Sequence, residues 1–432
     1  MRKRMLSIAA VIALSAALTA CGSSNSGSAN NGASSSPAAE GGSGKQVTVK
    51  ILNFKVEISQ EFDRLVKDYE AAHPNVKLDV VTVVGDDYNT LLKAKFASGD
   101  MPDIFNNEGY RQLDTWQDEI EDLSDQPWVK DVLDIAKEPM TKDGKIYGMP
   151  MNIEGLGFLY NKDQFTKAGI TELPTTLTEL TQASEKLKAA GLTPFMNHYG
   201  SLYTLGYHAF YQAMGKEADT KAFIAGLSDG TAKFAGNAAF IDWEKLLDLQ
   251  VKYGNNSPLT MDYSNGTSQF AAGQAAMTIG GNWVQPIIDK VDPNMKVGIL
   301  PMPINDDKAL NDKIFVGVPN NWVVNKKSQV KQEAKDFLNW LVTSDQGKQY
   351  LTKDFKFIPA FKTIQADPAS VGSIGADVAK YTEEGKALAW QWAKYPDGAT
   401  QEFGASIQKY VAGKINGTQL LEEFQASWDK LN

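Results

Sequence analysis

The stretch "VTVKILNFKVEISQEFDRLVKDYEAAHPNVKLDVVTV", residues 47–83, decides the fold class. Its first eight residues alternate between apolar and polar side chains, as a half-buried β-strand does. Apolar residues then recur at helical spacing until the stop at His73-Pro74, and a second strand pattern follows. A strand, a helix and a strand in this order predict parallel pairing through a right-handed crossover.

Two further elements extend this unit towards the carboxyl end. Residues 86–99 predict a helix that ends at Gly99, and "PDIFNN", residues 102–107, predicts a third short strand. The order β-α-β-α-β indicates an open parallel sheet, and the rest of the chain also alternates helix and strand patterns. The fold class is therefore predicted to be α/β, with ligand-binding residues beyond the carboxyl ends of the strands.

The start of the chain predicts export and a lipid anchor. Three basic residues and an apolar run within residues 1–20 are typical of a signal peptide. "LTAC", residues 18–21, resembles the bacterial lipobox, in which the cysteine carries lipid. Cys21 is the only cysteine of the chain, so no internal disulfide is possible. The alternative is a free thiol behind an ordinary signal peptide. We expect an extracytoplasmic protein anchored to the cell membrane by lipid on Cys21.

Composition narrows the classes of partner. Residues 21–45 are rich in Ser, Gly and Asn and predict a flexible linker. The remaining chain is too long for one ordinary core and suits two lobes. A formal net charge of −9 gives no electrostatic reason to bind nucleic acid or anionic lipid, and no further apolar run reaches membrane-spanning length.

Five blocks of the sequence resemble one protein family. Extracellular solute-binding proteins of sugar-importing ABC transporters, the group that includes maltose-binding protein, contain similar blocks in the same order. The blocks are "FASGDMPDI" (96–104), "YGMPMNIEGLGFLYNKDQF" (147–165), "FAAGQAAMTIGGNWV" (270–284), "AKDFLNWLVTSDQGKQYL" (334–351) and "GKINGTQLLEEFQASWDKL" (413–431).

The resemblance implies a two-lobed, type II periplasmic-binding-protein-like α/β fold with the ligand cleft between lobes joined by hinge segments. Lobe 1 would comprise residues 46–154 and 301–375, and lobe 2 residues 155–300 and 376–432. Such a protein would capture a carbohydrate, most simply an oligosaccharide, close by hinge rotation and deliver it to the membrane subunits of an ABC permease. The resemblance also implies a monomer with no cofactor, held at the membrane only through its lipid.

Trp283, which follows "TIGG" (278–281) after one intervening residue, Asn282, is the first candidate ligand-binding residue. Sugar rings present C–H faces that lie against an indole, and two preceding glycines would let the backbone turn at the strand end. The alternative is a core residue, since tryptophan is usually largely buried. The resemblance supports a ligand contact, because the family block has a stacking tryptophan at this place.

Polar candidates follow the predicted strands. Glu154 stands at the expected crossover between lobes, where a carboxylate accepts hydrogen bonds from adjacent sugar hydroxyls; the resemblance implies the same role, and a solvated turn is the alternative. Asn53 follows the first strand, and Asn107, Glu108 and Tyr110 follow the third. No tryptophan follows "PDIF", which departs from maltose-binding protein and puts maltose itself in doubt.

Tyrosines at four-residue spacing occur in "FMNHYGSLYTLGY", residues 195–207. Such a stripe is usually packing. Tyr199 and Tyr203 are kept as candidate cleft residues, and Tyr207 is assigned to packing.

Three tryptophans complete the candidate ligand site. Trp390 and Trp392 precede the last helices, where the family often supplies an aromatic wall, and one of the pair is expected to face the cleft. Trp322 lies near a predicted crossover and is the weakest candidate.

Three other functions stay open from the residues alone. A glycosidase or lyase needs only two carboxylates, which the chain has in excess. A structural surface lipoprotein and a receptor for a non-sugar polar solute are also possible. A metal enzyme is disfavoured, because the three histidines form no H-E-x-x-H motif and there is no cysteine pair. Phosphate-binding loops and nucleophile elbows are absent from the sequence as well, so no catalytic residue is proposed.

Overall fold

The computed structural model describes residues 46–83 and 85–432. The predicted signal peptide, the lipid site at Cys21 and the linker lie outside these residues. The strands are β1 (Val47–Asn53), β2 (Val76–Thr82), β3 (Ile104–Asn107), β4 (Thr141–Lys142), β5 (Lys145–Ile146), β6 (Met149–Pro150), β7 (Glu154–Asn161), β8 (Phe195–Met196), β9 (Met277–Gly281), β10 (Val297–Leu300), β11 (Ile314–Gly317), β12 (Asn321–Val324) and β13 (Ala387–Ala389).

Helices separate most of these strands. They are α1 (Ser59–Ala72), α2 (Gly85–Ser98), α3 (Arg111–Trp116), α4 (Asp134–Lys137), α5 (Lys162–Lys167), α6 (Leu177–Ala189), α7 (Phe210–Met214), α8 (Thr220–Asp229), α9 (Ala238–Lys252), α10 (Tyr263–Ala271), α11 (Gln285–Val291), α12 (Lys308–Asn311), α13 (Lys331–Thr343), α14 (Asp345–Gln349), α15 (Pro368–Glu383), α16 (Ala399–Val411) and α17 (Gly417–Leu431). Two π-helical segments adjoin these helices: Thr204–Ala209 leads directly into α7, and Tyr350–Asp354 directly follows α14.

The first sheet has the order β2-β1-β3-β12-β6. β1 pairs in parallel with both β2 and β3, which confirms the predicted β-α-β-α-β unit. β12 returns much later in the sequence and pairs antiparallel with β3 and β6. Side chains of β1 alternate between two apolar clusters, with Val49 and Ile51 on one face and Leu52 on the other. Helices therefore cover both faces of this sheet.

The second sheet has the order β13-β11-β7-β9-β8, and β10 also pairs with β7. All eight residues of β7 are buried, as a central strand requires. A single large apolar cluster surrounds this sheet and includes residues of α9, α16 and α17. The described chain thus forms two α/β lobes, each with its own sheet and core.

The lobe boundaries remain a prediction. The strand pairing of the two sheets is relevant to one of them, the boundary at residue 301. The boundary at residue 301 assigns residues 314–317 to lobe 1, whereas β11 pairs with β7 and β13 of the second sheet. β11 and β12 are both short apolar strands, so the sequence does not distinguish which sheet each one joins. The chain passes from the second sheet to the first between them, at residues 318–320.

Candidate functional site

A cleft lies where the residues after β1 meet the second sheet. We call it the central cleft; it contains about 570 Å³ of space without protein atoms, part of which is open to solvent. Its lining combines six aromatic side chains other than histidine with one lysine and two glutamates. The lining residues are Phe54, Lys55, Val56, Glu57, Gly85, Glu154, Ser201, Tyr203, His208, Tyr263, Trp283, Pro319, Trp390 and Trp392.

Trp283 lines the central cleft and is 7% exposed. Gly281 is extended, with φ −156°, so the glycine is not needed for a turn as the sequence suggested. A Cβ at Gly281 would instead lie 2.1 Å from a ring carbon of Trp283 and 2.1 Å from the carbonyl oxygen of Gly155. Glycine at this position therefore gives the indole the space to lie over the end of β9.

Trp390 and Trp392 both line the central cleft, where the sequence predicted only one of them. Their rings stack with centroids 4.2 Å apart and an interplanar angle of 26°. The indole Nε1 of Trp390 donates a hydrogen bond to the carbonyl oxygen of Val318 at 3.4 Å. The stacked pair and Trp283 give the cleft three indoles, each supplied by a segment that follows a strand of the second sheet.

Glu154, the first residue of β7, forms a buried ion pair with Lys55. The carboxylate also accepts a hydrogen bond from Asn152 Nδ2 at 3.1 Å. Lys55 Nζ lies 5.3 Å from the ring centroid of Phe54 and 5.6 Å from that of Phe357, within reach of a cation–π contact. Because Lys55 neutralises Glu154, this side of the cleft presents paired hydrogen-bonding groups rather than a free charge.

Glu57 and Tyr263 join the two lobes across the central cleft. The Tyr263 hydroxyl donates to Glu57 Oε1 at 2.6 Å, although 206 residues separate them in the sequence. Burial raises the pKa of Glu57, and nearby Lys55 opposes this rise. Sequence reasoning missed both residues, because neither directly follows a strand end and α10 gives no sign that it faces the first lobe.

A second stretch, the distal cleft, adjoins the central cleft at Trp392. It contains about 1010 Å³ of space, again partly open to solvent. Polar and charged side chains dominate its lining. The lining residues are Asn89, Thr90, Lys93, Glu108, Arg111, Gln112, Trp116, Tyr207, Trp392, Ala393, Tyr395, Pro396, Asp397, Gly398, Thr400, Gln401 and Glu402.

Glu108 and Tyr207 form another contact between the lobes, in the distal cleft. The Tyr207 hydroxyl lies 3.1 Å from Glu108 Oε1 and 3.4 Å from Oε2. Burial raises the pKa of Glu108 to about 7, and the charge of Asp397 adds to the rise. Tyr203 stacks on Tyr207 with centroids 4.5 Å apart. Tyr207, which the spacing assigned to packing, therefore also lines the cleft.

His208 is a further cleft residue that the sequence did not indicate. It lines the central cleft, and its ring centroid lies 5.2 Å from that of Trp283. Its place in a π-helix, rather than an α-helix, turns it to the same side as Tyr203. No pattern in the sequence marks this change of helix type.

Two candidate asparagines, Asn53 and Asn107, are buried and form hydrogen bonds with backbone groups beside the cleft. Asn53 Nδ2 donates to the carbonyl oxygen of Lys55 at 3.1 Å. Asn107 Oδ1 accepts from the backbone N–H of Gly109 at 2.8 Å. Neither lines the central or the distal cleft. They shape the loops that carry Lys55 and Glu108.

Three aromatic candidates lie elsewhere. Tyr199 is fully buried, and its hydroxyl donates to Gln250 at 3.2 Å; it precedes the helix that carries Tyr203 and so does not share its face. Trp322 is 1% exposed in the core of the first lobe, since β12 is an inner strand. Tyr110 lines a separate groove, where Lys394 Nζ lies 4.4 Å from its ring centroid.

The described part of the chain contains neither a candidate metal site nor a candidate membrane-spanning helix. No group of three or more His, Cys, Asp or Glu side chains there could hold a metal ion. Among the same residues, no helix combines the length and the apolar composition that crossing a bilayer requires.

Comparison with known proteins identifies relatives over most of the chain. The model of the family described as bacterial extracellular solute-binding protein matches residues 55–348. The multiple sugar-binding protein of Streptococcus mutans is 24% identical over 72% of this chain and 74% of its own length. The melibiose/raffinose/stachyose-binding protein of Bacillus subtilis is 24% identical over 67% of this chain and 68% of its own.

Solved structures show the same fold. A structure of the binding protein RafE in complex with raffinose superposes with a TM-score of 0.76. The match covers 89% of this chain and all of that one, at 22% identity. The two-lobed α/β architecture expected from the sequence is thereby confirmed.

Proposed function

Because this chain belongs to the family of bacterial extracellular solute-binding proteins, we propose that it captures an oligosaccharide between its lobes and delivers it to an ABC importer. Members of the family are binding proteins, so the glycosidase and lyase alternatives fall away. The observation that supports a sugar is the grouping of three indoles, Trp283, Trp390 and Trp392, opposite hydrogen-bonding carboxylates in one cleft.

The chemistry of this cleft suits a saccharide. The C–H face of a pyranose ring covers an indole well and removes apolar surface from water. Its hydroxyl groups need acceptors, which Glu57 and Glu154 offer within the same lining. Glu154 already has Lys55 as its partner, so its orientation is set before a ligand arrives. Tyr263 would fix Glu57 in the same way once the lobes are together.

The extent of the cleft favours an oligosaccharide over a monosaccharide. The central and distal clefts share Trp392 and differ in character, the first mainly aromatic and the second mainly polar. A ligand that contacts both the indoles of the central cleft and the polar side chains of the distal cleft would need more than one sugar ring. The names of the relatives, which include raffinose and stachyose, point the same way.

Closure of the lobes would enclose the bound ligand. The bonds Tyr263–Glu57 and Tyr207–Glu108 join the lobes in the arrangement seen here. A ligand shifts such an equilibrium only by contacts that it makes better in the closed form. The closed, liganded form would then be the one that the permease recognises.

Membrane attachment is a separate part of the proposal. Cleavage before Cys21 and lipid on that cysteine would hold the protein at the extracytoplasmic face, with residues 22–45 as a leash and a monomeric binding module. Growth with a radiolabelled fatty acid tests this. Label should enter the wild-type protein and not Cys21→Ser; equal labelling, or none in either, would contradict it.

Calorimetric titration of residues 46–432 tests the cargo. The panel should include melibiose, raffinose, stachyose, malto-oligosaccharides and N-acetylglucosamine oligomers, with product analysis alongside. We expect binding without conversion, weakened about 100-fold or more in Trp283→Ala, because the stacking surface is lost. Trp340→Ala is the matched control, since Trp340 is a partly buried tryptophan of the first lobe. Absence of binding across the panel, with binding of another polar solute, would replace the sugar by a non-sugar cargo.

A further inference from the structure

His208 lies in a box of aromatic rings at the centre of the cleft. Its ring centroid is 5.2 Å from that of Trp283, 6.1 Å from that of Trp392 and 5.3 Å from that of Tyr203. The side chain is 3% exposed, and its Nδ1 has no hydrogen-bond partner among the described residues. A buried imidazole nitrogen without a partner is costly unless something else supplies the bond.

The π-helix that contains His208 places its side chain among these aromatic rings. Residues Thr204–Ala209 form a π-helix, in which residues four and five positions apart lie on the same side. Tyr207 and His208 therefore both face the cleft beside Tyr203. A Cβ at Gly206 would lie 1.8 Å from the carbonyl oxygen of Thr400, so glycine lets this segment pack directly against α16.

The imidazole of His208 is neutral in this place. Burial lowers the pKa of His208 to about 3, and the nearby His198 and Lys55 side chains act in the same direction. A neutral imidazole has one nitrogen that donates a hydrogen bond and one that accepts. It is thus a directional group for a sugar hydroxyl, and not an ion that pairs with a charged ligand.

We propose that His208 contacts the ligand and selects it, by a hydrogen bond between its imidazole and one hydroxyl of the sugar ring that stacks on Trp283. This inference rests on the proposed function. A sugar that lacks this hydroxyl, or carries it in the other configuration, leaves the imidazole unpaired among the aromatic rings. A site of this kind discriminates strongly against the analogue without the partner group.

The test pairs a variant with ligand analogues. The probe is the saccharide of the panel that the wild-type protein binds most tightly, together with its monodeoxy analogues. We expect one deoxy analogue to bind wild-type protein about 10- to 100-fold more weakly than the parent. In His208→Phe, which keeps a flat ring, parent and analogue should bind equally; His208→Gln, which keeps hydrogen-bonding groups, should restore part of the difference.

A second measurement reads the contact directly. The chain has only three histidines, so ¹⁵N resonances of their rings are easily assigned. Addition of the saccharide should shift the ring resonances of His208. Because the pKa of His208 is about 3, these resonances should not change between about pH 5 and 8. His198→Phe is the control: His198 is equally buried in the same lobe, and its Nδ1 lies 2.9 Å from Thr204 Oγ1.

The outcomes separate the two proposals. Two results would overturn the role of His208 and leave the proposed function standing. In the first, His208→Phe still binds the parent saccharide more tightly than the deoxy analogue. In the second, His198→Phe loses this preference to the same extent as His208→Phe. In the second case the effect would come from packing of the π-helix. Absence of saccharide binding by the wild-type protein overturns the proposed function and this inference together.

Discussion

Closure of the lobes should depend on pH through Glu108. In the structure, where the Tyr207 hydroxyl bonds Glu108 across the lobes, burial raises the pKa of this carboxyl from 4.5 to about 7; if the lobes separated, water would return the pKa towards 4.5. A group whose pKa is higher in the closed form takes up a proton on closure. Closure is therefore favoured at low pH, and this advantage is lost as the pH rises from 4.5 to about 7.

The magnitude follows from the size of the shift. One pKa unit corresponds to about 1.4 kcal/mol, so the full shift would amount to about 3 kcal/mol. Glu108 is only partly buried, and solvent screening reduces the effect to about 1–2 kcal/mol. Ligand affinity should then be about 5- to 30-fold weaker at pH 8 than at pH 4.5. Glu57, whose pKa burial also raises, adds an effect of the same sign.

Calorimetric titration from pH 4.5 to 8, with small-angle scattering of the unliganded protein, measures this dependence. Glu108→Gln cannot titrate and should show a much smaller slope; Tyr207→Phe keeps the carboxyl and removes only its cross-lobe donor, so the slope should persist. A wild-type affinity that is flat over this range would refute the reasoning. So would an unchanged slope in Glu108→Gln.

Three further predictions concern single contacts. Gly281→Ala should displace the Trp283 indole, because its Cβ would lie 2.1 Å from the ring; affinity falls at least about tenfold, and near-ultraviolet circular dichroism changes. Lys55→Met should lower the free energy of unfolding by about 3–5 kcal/mol, since Glu154 would remain buried and unpaired; adding Glu154→Leu should recover most of it in urea titrations. Tyr199→Phe should cost about 1 kcal/mol of stability and leave saccharide affinity unchanged.

The sequence predicted those parts of the site that depend on local order. Alternation and helical spacing located the parallel unit, and in such a sheet the segments after the strands converge on one edge. Trp283 and Glu154 follow or begin strands, so their place in the cleft could be inferred. The predicted role of glycine beside Trp283 was wrong in its reason, because the glycine provides space rather than a turn.

Residues whose position depends on tertiary packing were beyond sequence reasoning. Tyr263 reaches Glu57 only because α10 packs where the lobes meet, and nothing within α10 signals that contact. The four-residue spacing of Tyr199, Tyr203 and Tyr207 is typical of one face of a single α-helix. The structure instead has a turn at Tyr199 and a π-helix from Thr204, so Tyr207 and His208 face the cleft and Tyr199 enters the core.

The division of the site between the lobes links recognition to closure. All three indoles follow strands of the second sheet, whereas Glu57 and Glu108 follow β1 and β3 of the first. A saccharide that stacks on the indoles in an open cleft would therefore lack these two acceptors. Both acceptors come within reach of the saccharide only when the lobes close. Closure also forms the hydrogen bonds from Tyr263 to Glu57 and from Tyr207 to Glu108. Contacts made only in the closed form are the ones that shift the equilibrium, so Glu57 and Glu108, by accepting hydrogen bonds from the hydroxyls, would also drive closure.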